Sequence, residues 1–468
     1  MSRLNKKVPA EVIKTHNGAP AKKVSYEAQL RRSVMANLLW EDEFYESGKK
    51  IADRIAELVP KVAPDIVADM AIYARQAMNL RHVPLKLIVE MVKHKSHKQY
   101  VRKTTSTVIS RADELGELLA MYYNAGARNK PLANSLRKGL ADAFTKFNEY
   151  QLAKYNRETA FSLRDVLFLS HAKPVDAAQD LLWKKLIGGF CKNCGKSHYD
   201  ANKKAVLPKI EGCDCYEELR LATPDTWEVA LSAGGDKKAH WTRLLAERKL
   251  GALAILRNLR NMREASVDQK LIEEALEQVD LAKVLPYRYI AAAKYAPHME
   301  PVLERCMFKS IKAEEKLEGK TVLLVDVSGS MNWVLSSKSD LARKDAAYGL
   351  AMLLREICED ISIYSFSEKT VLVPPRKGFA LRDAIDSSQR HSGTDLGQAI
   401  KDVQRVEKYD RIIAITDEQS SDAVGSPKGL GYIINVASNK NGVGYGAWTH
   451  VDGFSEAVVR WIQELEKY

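Results

Sequence analysis

The sequence has no apolar run long enough to cross a bilayer, no apolar stretch behind its basic opening Met-Ser-Arg-Leu-Asn-Lys-Lys-Val-Pro, and no glycine-rich Walker loop. These absences argue against a membrane span, a secretory signal and nucleotide hydrolysis of the P-loop type; a cytoplasmic chain without membrane contact is expected. Only six cysteines occur in 468 residues, too few for a disulfide scaffold, and thiols in that compartment stay reduced. Acidic residues are short in one region. Residues 1–200 hold 34 Lys and Arg against 21 Asp and Glu, whereas residues 201–468 hold 38 against 39, so the formal charge of +12 originates in the first part. A basic field confined to one region suggests an anionic partner, of which nucleic acid is the commonest; the plainer reading is a solvated basic surface.

Hydrophobic residues make up 46% and charged residues 28% of the chain, which leaves room for two or three domains with ample core. Residues 1–24 read as a polar arm. From Ser25, a plausible N-cap, apolar residues recur at helical spacing. Helix-length segments follow at Glu46 to Leu58, Pro64 to Met78, Val83 to Lys93, Lys98 to Ile109, Ala112 to Tyr123, Pro131 to Lys146 and Ser162 to Leu169. Amphipathic helices joined by short turns cannot bury their apolar faces singly, so the pattern predicts stacked pairs of the HEAT type, an α-solenoid, although no exact repeat period is present. Within it lie two basic groups, one from Lys93 to Lys103 and one comprising Arg128, Lys130, Arg137, Lys138 and Lys146. Turns and helix ends suit phosphate contacts, and Tyr122, Tyr123, Tyr150 and Tyr155 are either stacking platforms for unpaired bases or core residues.

Four of the six cysteines fall between residues 191 and 215, as Cys191-Lys-Asn-Cys194 and Cys213-Asp-Cys215. Paired knuckles at this separation favour a closed, structural tetrahedral Zn2+ site; His198 is an alternative ligand, and a redox pair is the weaker reading because no thioredoxin-like strand precedes the motif. Cys306 and Cys358 sit in apolar helical contexts and read as inert core.

The stretch Thr321-Val-Leu-Leu-Val-Asp-Val-Ser-Gly-Ser-Met331 runs four apolar residues into hard oxygen ligands. A strand without alternation suits the middle of a parallel sheet, whose ligand crevices lie beyond the strands' carboxyl ends. Asp326, Ser328 and Ser330 suit Mg2+ or another hard divalent cation. Alone, Asp-x-Ser-x-Ser is also what a polar turn looks like. Thr394, in Ser392-Gly-Thr-Asp395, and Asp417, at the tip of Arg411-Ile-Ile-Ala-Ile-Thr-Asp417, complete an ordered set that resembles the metal-ion-dependent adhesion site of von Willebrand factor A domains. That resemblance implies a cation with one position open for a partner's carboxylate. Alternating strands and helices after the charged link 312–320 predict a doubly wound α/β domain over residues 319–468.

Arg164-Asp-Val-Leu-Phe-Leu-Ser-His-Ala-Lys-Pro174, Thr226-Trp-Glu, Leu256-Arg-Asn-Leu-Arg-Asn-Met262, Pro286-Tyr-Arg-Tyr and Asn79-Leu-Arg-His-Val-Pro84 together resemble the TROVE module of the Ro ribonucleoprotein autoantigen family, in a bacterial or phage-type member. The resemblance implies a mostly α ring of HEAT-like pairs over residues 1–315, with the four-cysteine, zinc-ribbon-like insertion at about 188–218 as a departure from animal members, closed by the A domain. It implies a Y-like small RNA and the single-stranded 3′ ends of misfolded or 3′-extended noncoding RNA as ligands, polynucleotide phosphorylase or another exoribonuclease as a partner, and no DNA. RNA contacts transfer to Lys154 and His171; a second basic position falls on Glu158 and moves to its neighbour Arg157. Lys130, Arg137 and Lys138 are added from the basic group.

The expected function is therefore a noncatalytic RNA-binding protein for quality control or processing of structured RNA. The alternative is a metal-dependent protein-binding adaptor acting through Asp326, Ser328, Ser330, Thr394 and Asp417. An enzyme is the weakest reading, because the sequence offers no second metal cluster and no convincing general base.

Overall fold

A computed structural model describes residues 25–35, 48–76, 80–124, 131–156, 159–188, 199–200, 205–206, 221–281, 284, 286–311, 316–336, 339–437, 443, 447–452, 462 and 466. They divide into two compact units, Ile55–Asp236 and a second in which the described residues up to Arg54 join those from Lys237 onward. Two helices open the described chain, α1 (Tyr26–Met35) and α2 (Gly48–Leu58), and the Ser25 hydroxyl accepts the Ala28 N–H at 3.1 Å at the start of α1.

The helical unit runs through α3 (Pro64–Gln76), α4 (His82–Lys93), α5 (Lys98–Val108), α6 (Asp113–Tyr122), α7 (Asn134–Phe144), α8 (Glu149–Tyr155), α9 (Leu163–Ser170), α10 (Ala177–Ile187) and α11 (Trp227–Ser232), with a ribbon of β1 (Tyr199–Asp200) and β2 (Ala205–Val206) before α11. From α3 to α7 the packing is largely on the next helix but one as well as on a sequence neighbour: α3 on α4 and α5, α4 on α6, α5 on α7, and α7 on α9, while α6 packs on α9. Helices α8 and α10 go beyond those expected from apolar spacing; α8 is short, and its start is fixed by a reciprocal box in which Asn148 and Gln151 side chains each accept the other's backbone N–H. Buried carboxylates also hold the stack. Glu114 on α6 is fully buried and accepts from Arg75 of α3 at 2.6 Å and from the Ser110 and Arg111 N–H groups at 2.9 and 3.1 Å, so its desolvation is offset by three donors.

The second unit contains α12 (Lys237–Ala246), α13 (Ala252–Glu264), α14 (Gln269–Gln278), α15 (Pro286–Tyr295) and α16 (Glu300–Ile311) with a mixed six-stranded sheet. These helices cluster in the same unit as the sheet. The strands are β3 (Leu317–Asp326), β6 (Cys358–Phe366), β7 (Thr370–Leu372), β8 (Arg411–Thr416), β9 (Leu430–Asn435) and β10 (Thr449–Asp452); β4 (Val334–Ser336) and β5 (Ser339–Ala342) form a separate hairpin. Strand order is β10-β9-β8-β3-β6-β7, parallel throughout except for β7, which returns antiparallel along β6. Val322 to Val325 and every residue of β8 are buried, as unalternating Val, Leu and Ile require at the centre of a covered sheet. Helices α17 (Arg343–Ile357), α18 (Gly378–Asp386) and α19 (Leu396–Val406) complete the unit. From β3 the chain moves one way to β6 and later the other way through β8, β9 and β10, which makes the carboxyl ends of β3 and β8 the switch point of the sheet.

Gly116, on α6, lies against the Phe161 backbone: a Cβ there would run into the Phe161 carbonyl oxygen. Helix propensity alone favours Ala over Gly by about 1 kcal/mol, but the obstacle is backbone, which has no rotamer to yield. We expect Gly116→Ala to destabilise the unit by about 1–3 kcal/mol net, read as a lower urea midpoint at unchanged slope.

Candidate nucleic-acid interface and cation site

At the switch point, three chain segments converge. Asp326 ends β3, and Asp417 follows β8, which pairs with β3 in register Val325 to Ile415. Ser328 and Ser330 lie in the turn after β3, with their hydroxyls 3.3 Å apart, and the Ser328 N–H donates to Asp326 Oδ1 at 2.8 Å. The loop bearing Thr394 is fastened to both others: Ser392 O accepts from the Gly329 N–H at 2.9 Å, and Thr394 O accepts from the Ser421 N–H at 2.7 Å. The following helix α19 has its first N–H groups capped by Asp422, at 2.8 Å from Gly397 N and 2.7 Å from Gln398 N. Asp326, Ser328, Asp417 and Thr394 are buried, while Ser330 is part-exposed. The structure thus brings together the five predicted oxygen ligands' segments.

Their charge is balanced from within. Asp417 Oδ2 receives Arg343 Nη1 at 3.4 Å with both side chains buried, and Asp326 Oδ2 receives the Thr416 hydroxyl at 2.6 Å. Burial, and after it the charge of Asp417, pushes the Asp326 carboxyl up to about 7. Among the described residues no three His, Cys, Asp or Glu side chains gather as a metal site. A hard cation here would rest on two carboxylates and three hydroxyls, a donor set that fits Mg2+ chemically.

The predicted RNA positions fall on α7, α8 and α9. His171 caps the carboxyl end of α9 in the left-handed region, φ 52° and ψ 38°, and is exposed. Histidine tolerates this conformation better than most residues but still pays a strain that glycine would not. Arg137 on α7 donates to the carbonyl of Ser170, the residue before it, at 3.2 Å, and to Asn134 at 2.9 Å. Lys138 is exposed on the same helix. Lys154 on α8 sits 6.0 Å from the Tyr150 ring and 5.7 Å from the Tyr155 ring, and Tyr150 is 50% exposed. Lys130, Arg157, His198 and Cys191, Cys194, Cys213 and Cys215 lie outside the described residues.

Several basic and aromatic residues of the region serve the fold. Lys146 donates to the Ser106 and Ile109 carbonyls at the end of α5, where burial pulls its amine down from the usual lysine range. Arg102 is paired with Asp142 at 2.6 Å, and His97 is buried. Tyr122 is core; Tyr123 stacks on Phe161 at 5.2 Å. Burial raises the thiols of Cys306 and Cys358 to about 11, as inert core requires.

One cation–ring pair on α9 escaped the sequence reading. Arg164 lies over the Phe168 ring at 4.8 Å, and Phe168 is 51% exposed. They stand four residues apart on α9, about one helical turn, and that spacing was the available signal; His171 follows at the carboxyl cap of the helix.

Among known proteins, the TROVE domain model matches residues 12–218 and 215–305. Telomerase protein component 1 of Mus musculus is 23% identical over 296 residues, 51% of this chain and 11% of that protein; its Rattus norvegicus counterpart is 21% identical over 307 residues, 53% and 12%. The chain spans roughly a tenth of the length of these relatives. A crystal structure of the Ro (RSR) protein of Deinococcus radiodurans superposes with a TM-score of 0.57 at 18% identity, covering 92% of this chain and 97% of that one.

A pH dependence follows from Asp326. Its folded carboxyl binds a proton that the unfolded chain releases near pH ~4, so the folded state loses stability as pH rises from about 4 to about 7. In EDTA, the thermal midpoint of the second unit should fall across that window, and Asp326→Asn should flatten the trend; parallel profiles for the two proteins would contradict this assignment.

Proposed function

This chain belongs to the TROVE-domain family, that of the Ro proteins, and on that premise we propose that it is a noncatalytic RNA-binding protein acting in quality control or processing of structured RNA. The observation that carries the proposal is the exposed face of α9. A half-exposed phenylalanine under an arginine, beside a histidine in the left-handed region, offers a ring face and a cation together, which suits an unpaired base stacked beside a phosphate. Lys154 and the Tyr150 ring offer the same pair of chemistries on α8. Affinity would come mainly from phosphates neutralised by Lys and Arg, and discrimination from shape, free ends and stacking.

Under this reading the ligands are a Y-like small RNA and the single-stranded 3′ ends of misfolded or 3′-extended noncoding RNA, with an exoribonuclease such as polynucleotide phosphorylase as partner. The stacked helices would form a HEAT-like ring, the sheet a von Willebrand A domain, and Cys191, Cys194, Cys213 and Cys215 a structural Zn2+ site. No described helix is long and apolar enough to cross a membrane; under this reading the protein acts in the cytoplasm.

A second reading has its own support. Asp326, Ser328, Ser330, Thr394 and Asp417 meet at the sheet's switch point, where a Mg2+ ion would keep a position open for a partner's carboxylate. The chain would then be a metal-dependent protein-binding adaptor.

Filter binding separates the two. Lys154→Ala and His171→Ala should weaken binding to single-stranded and structured RNA alike, and Lys154→Ala should lower the slope of log affinity against log salt by about 1. Asp326→Ala should leave RNA binding intact. If binding survives both helical substitutions but vanishes with Asp326→Ala or EDTA, the adaptor reading wins. Independently, Mg2+ should raise the thermal midpoint of the parent protein and not of Asp326→Ala, metal analysis should find about one Zn2+ per chain, and RNA incubated with protein and Mg2+ should stay intact.

A further inference from the structure

The second unit carries a groove along the seam between α13 and α15, which pack against each other. Helix α13 buries Ala252, Ile255, Leu256, Leu259 and Met262, and α15 buries Tyr287, Tyr289, Ile290, Ala292 and Ala293, so each turns its long cations outward. The groove holds about 450 Å³ and is lined by Arg257, Arg260 and Asn261 from α13 and by Arg288, Lys294 and Tyr295 from α15. The small side chains of Ala291 and Ala292 form part of its lining, and among the described residues no carboxylate does.

These charges are unequal in what the fold asks of them. Lys294 is held by Asp345 at 2.6 Å and serves structure. Arg260 is 3.7 Å from Glu264 in a pair with both side chains more than half exposed, a geometry worth little in water. Among the described residues, Arg257 and Arg288 have no carboxylate within ion-pair distance; Arg288 lies 4.9 Å over the Tyr287 ring and Arg260 5.5 Å over the Tyr295 ring. Like charges gathered along one seam oppose folding unless a counter-charge arrives from outside. Tyr295, 39% exposed, adds a ring face at the same groove.

We propose that this groove is a second RNA site, one that takes the phosphates of an unpaired strand with a base against Tyr295. It rests on the RNA-binding reading but on other residues than those of α8 and α9. Guanidinium planes and a tyrosine face favour an unpaired strand, since paired bases offer no face to stack. The regional charge count hides the site, because the residues after 200 are balanced overall while the arginines recur every third position along α13.

The test uses the full chain and a fluorescent oligouridine, with an RNA hairpin and polyaspartate as comparison probes. Arg257→Glu with Arg288→Glu should lower oligouridine affinity at least about tenfold and reduce the salt slope by about 2, with a thermal midpoint no lower than the parent's. Arg257→Gln with Arg288→Gln, which adds no negative charge, should show a smaller loss of the same kind. The loss should persist in a Lys154→Ala, His171→Ala background. If all the groove variants bind oligouridine like the parent, the proposal fails and the RNA-binding reading stands. If the parent binds neither RNA, that reading fails and takes the proposal with it. If the variants lose polyaspartate but keep oligouridine, the groove receives an acidic peptide and the proposal is overturned.

Discussion

Two carboxylates buried at the ends of adjacent strands set the terms for the sheet-bearing unit. A carboxylate out of water has to be neutralised, protonated or surrounded by donors. Asp417 is met by Arg343 and Asp326 by the Thr416 hydroxyl and the Ser328 N–H. Each partner drags an element with it. Arg343 is the first residue of α17, so the ion pair fixes where that buried helix begins; Ser328 opens the turn whose Gly329 N–H holds the Ser392 carbonyl, so the same network places the Thr394 loop. A cluster this demanding would be poor design for a purely structural core, where apolar residues of the same volume do as well. Its position at the switch point is what gives the cation reading weight.

The helical unit solves the opposite problem, an excess of cations. Much of that excess is used internally: Arg75 on Glu114, Arg81 on Asp113 and Glu117, Arg102 on Asp142, and Lys146 on the open carbonyls at the end of α5. A net charge counted from sequence therefore overstates what an RNA would meet. The residues left facing water include Lys138, Phe168 and His171. A binding surface is recognised by what the fold leaves unused, and the count of lysines and arginines is only a first approximation to it.

That distinction also sorts what could be read from residues alone. Unalternating Val322 to Val325 and Arg411 to Thr416 announced central strands, because burial on both faces imposes composition directly. The order Asp326, Ser328, Ser330, Thr394, Asp417 announced convergence, because a parallel sheet delivers its strand ends to one edge. Arg343 went unnoticed, since a buried guanidinium opposite a carboxylate 74 residues away has no local signature. The edge strands β7 and β10 are short and half-solvated, and three or four residues carry too little pattern to register. Tyr122 and His97 could not be told from exposed neighbours by type; only tertiary packing decides which face of a helix is inside.

The groove on α13 and α15 and the carboxylates at the switch point lie in one unit, and α15 packs on α17. Their connection runs through Asp345, which accepts from Lys294 of α15 at 2.6 Å and from the Ala342 N–H at the start of α17 at 2.7 Å. Contiguity is not coupling; coupling needs an element with two arrangements whose balance both sites shift. The chemistry here argues for independence instead. Lys294 is fastened by a charge-assisted bond to a carboxylate that also caps α17, so a strand entering the groove gains more from Arg257 and Arg288 than from prising it loose. Salt separates the two sites further, because exposed guanidinium groups are screened over about 10 Å at ~0.1 M, while the Arg343–Asp417 pair, shielded from solvent, is not.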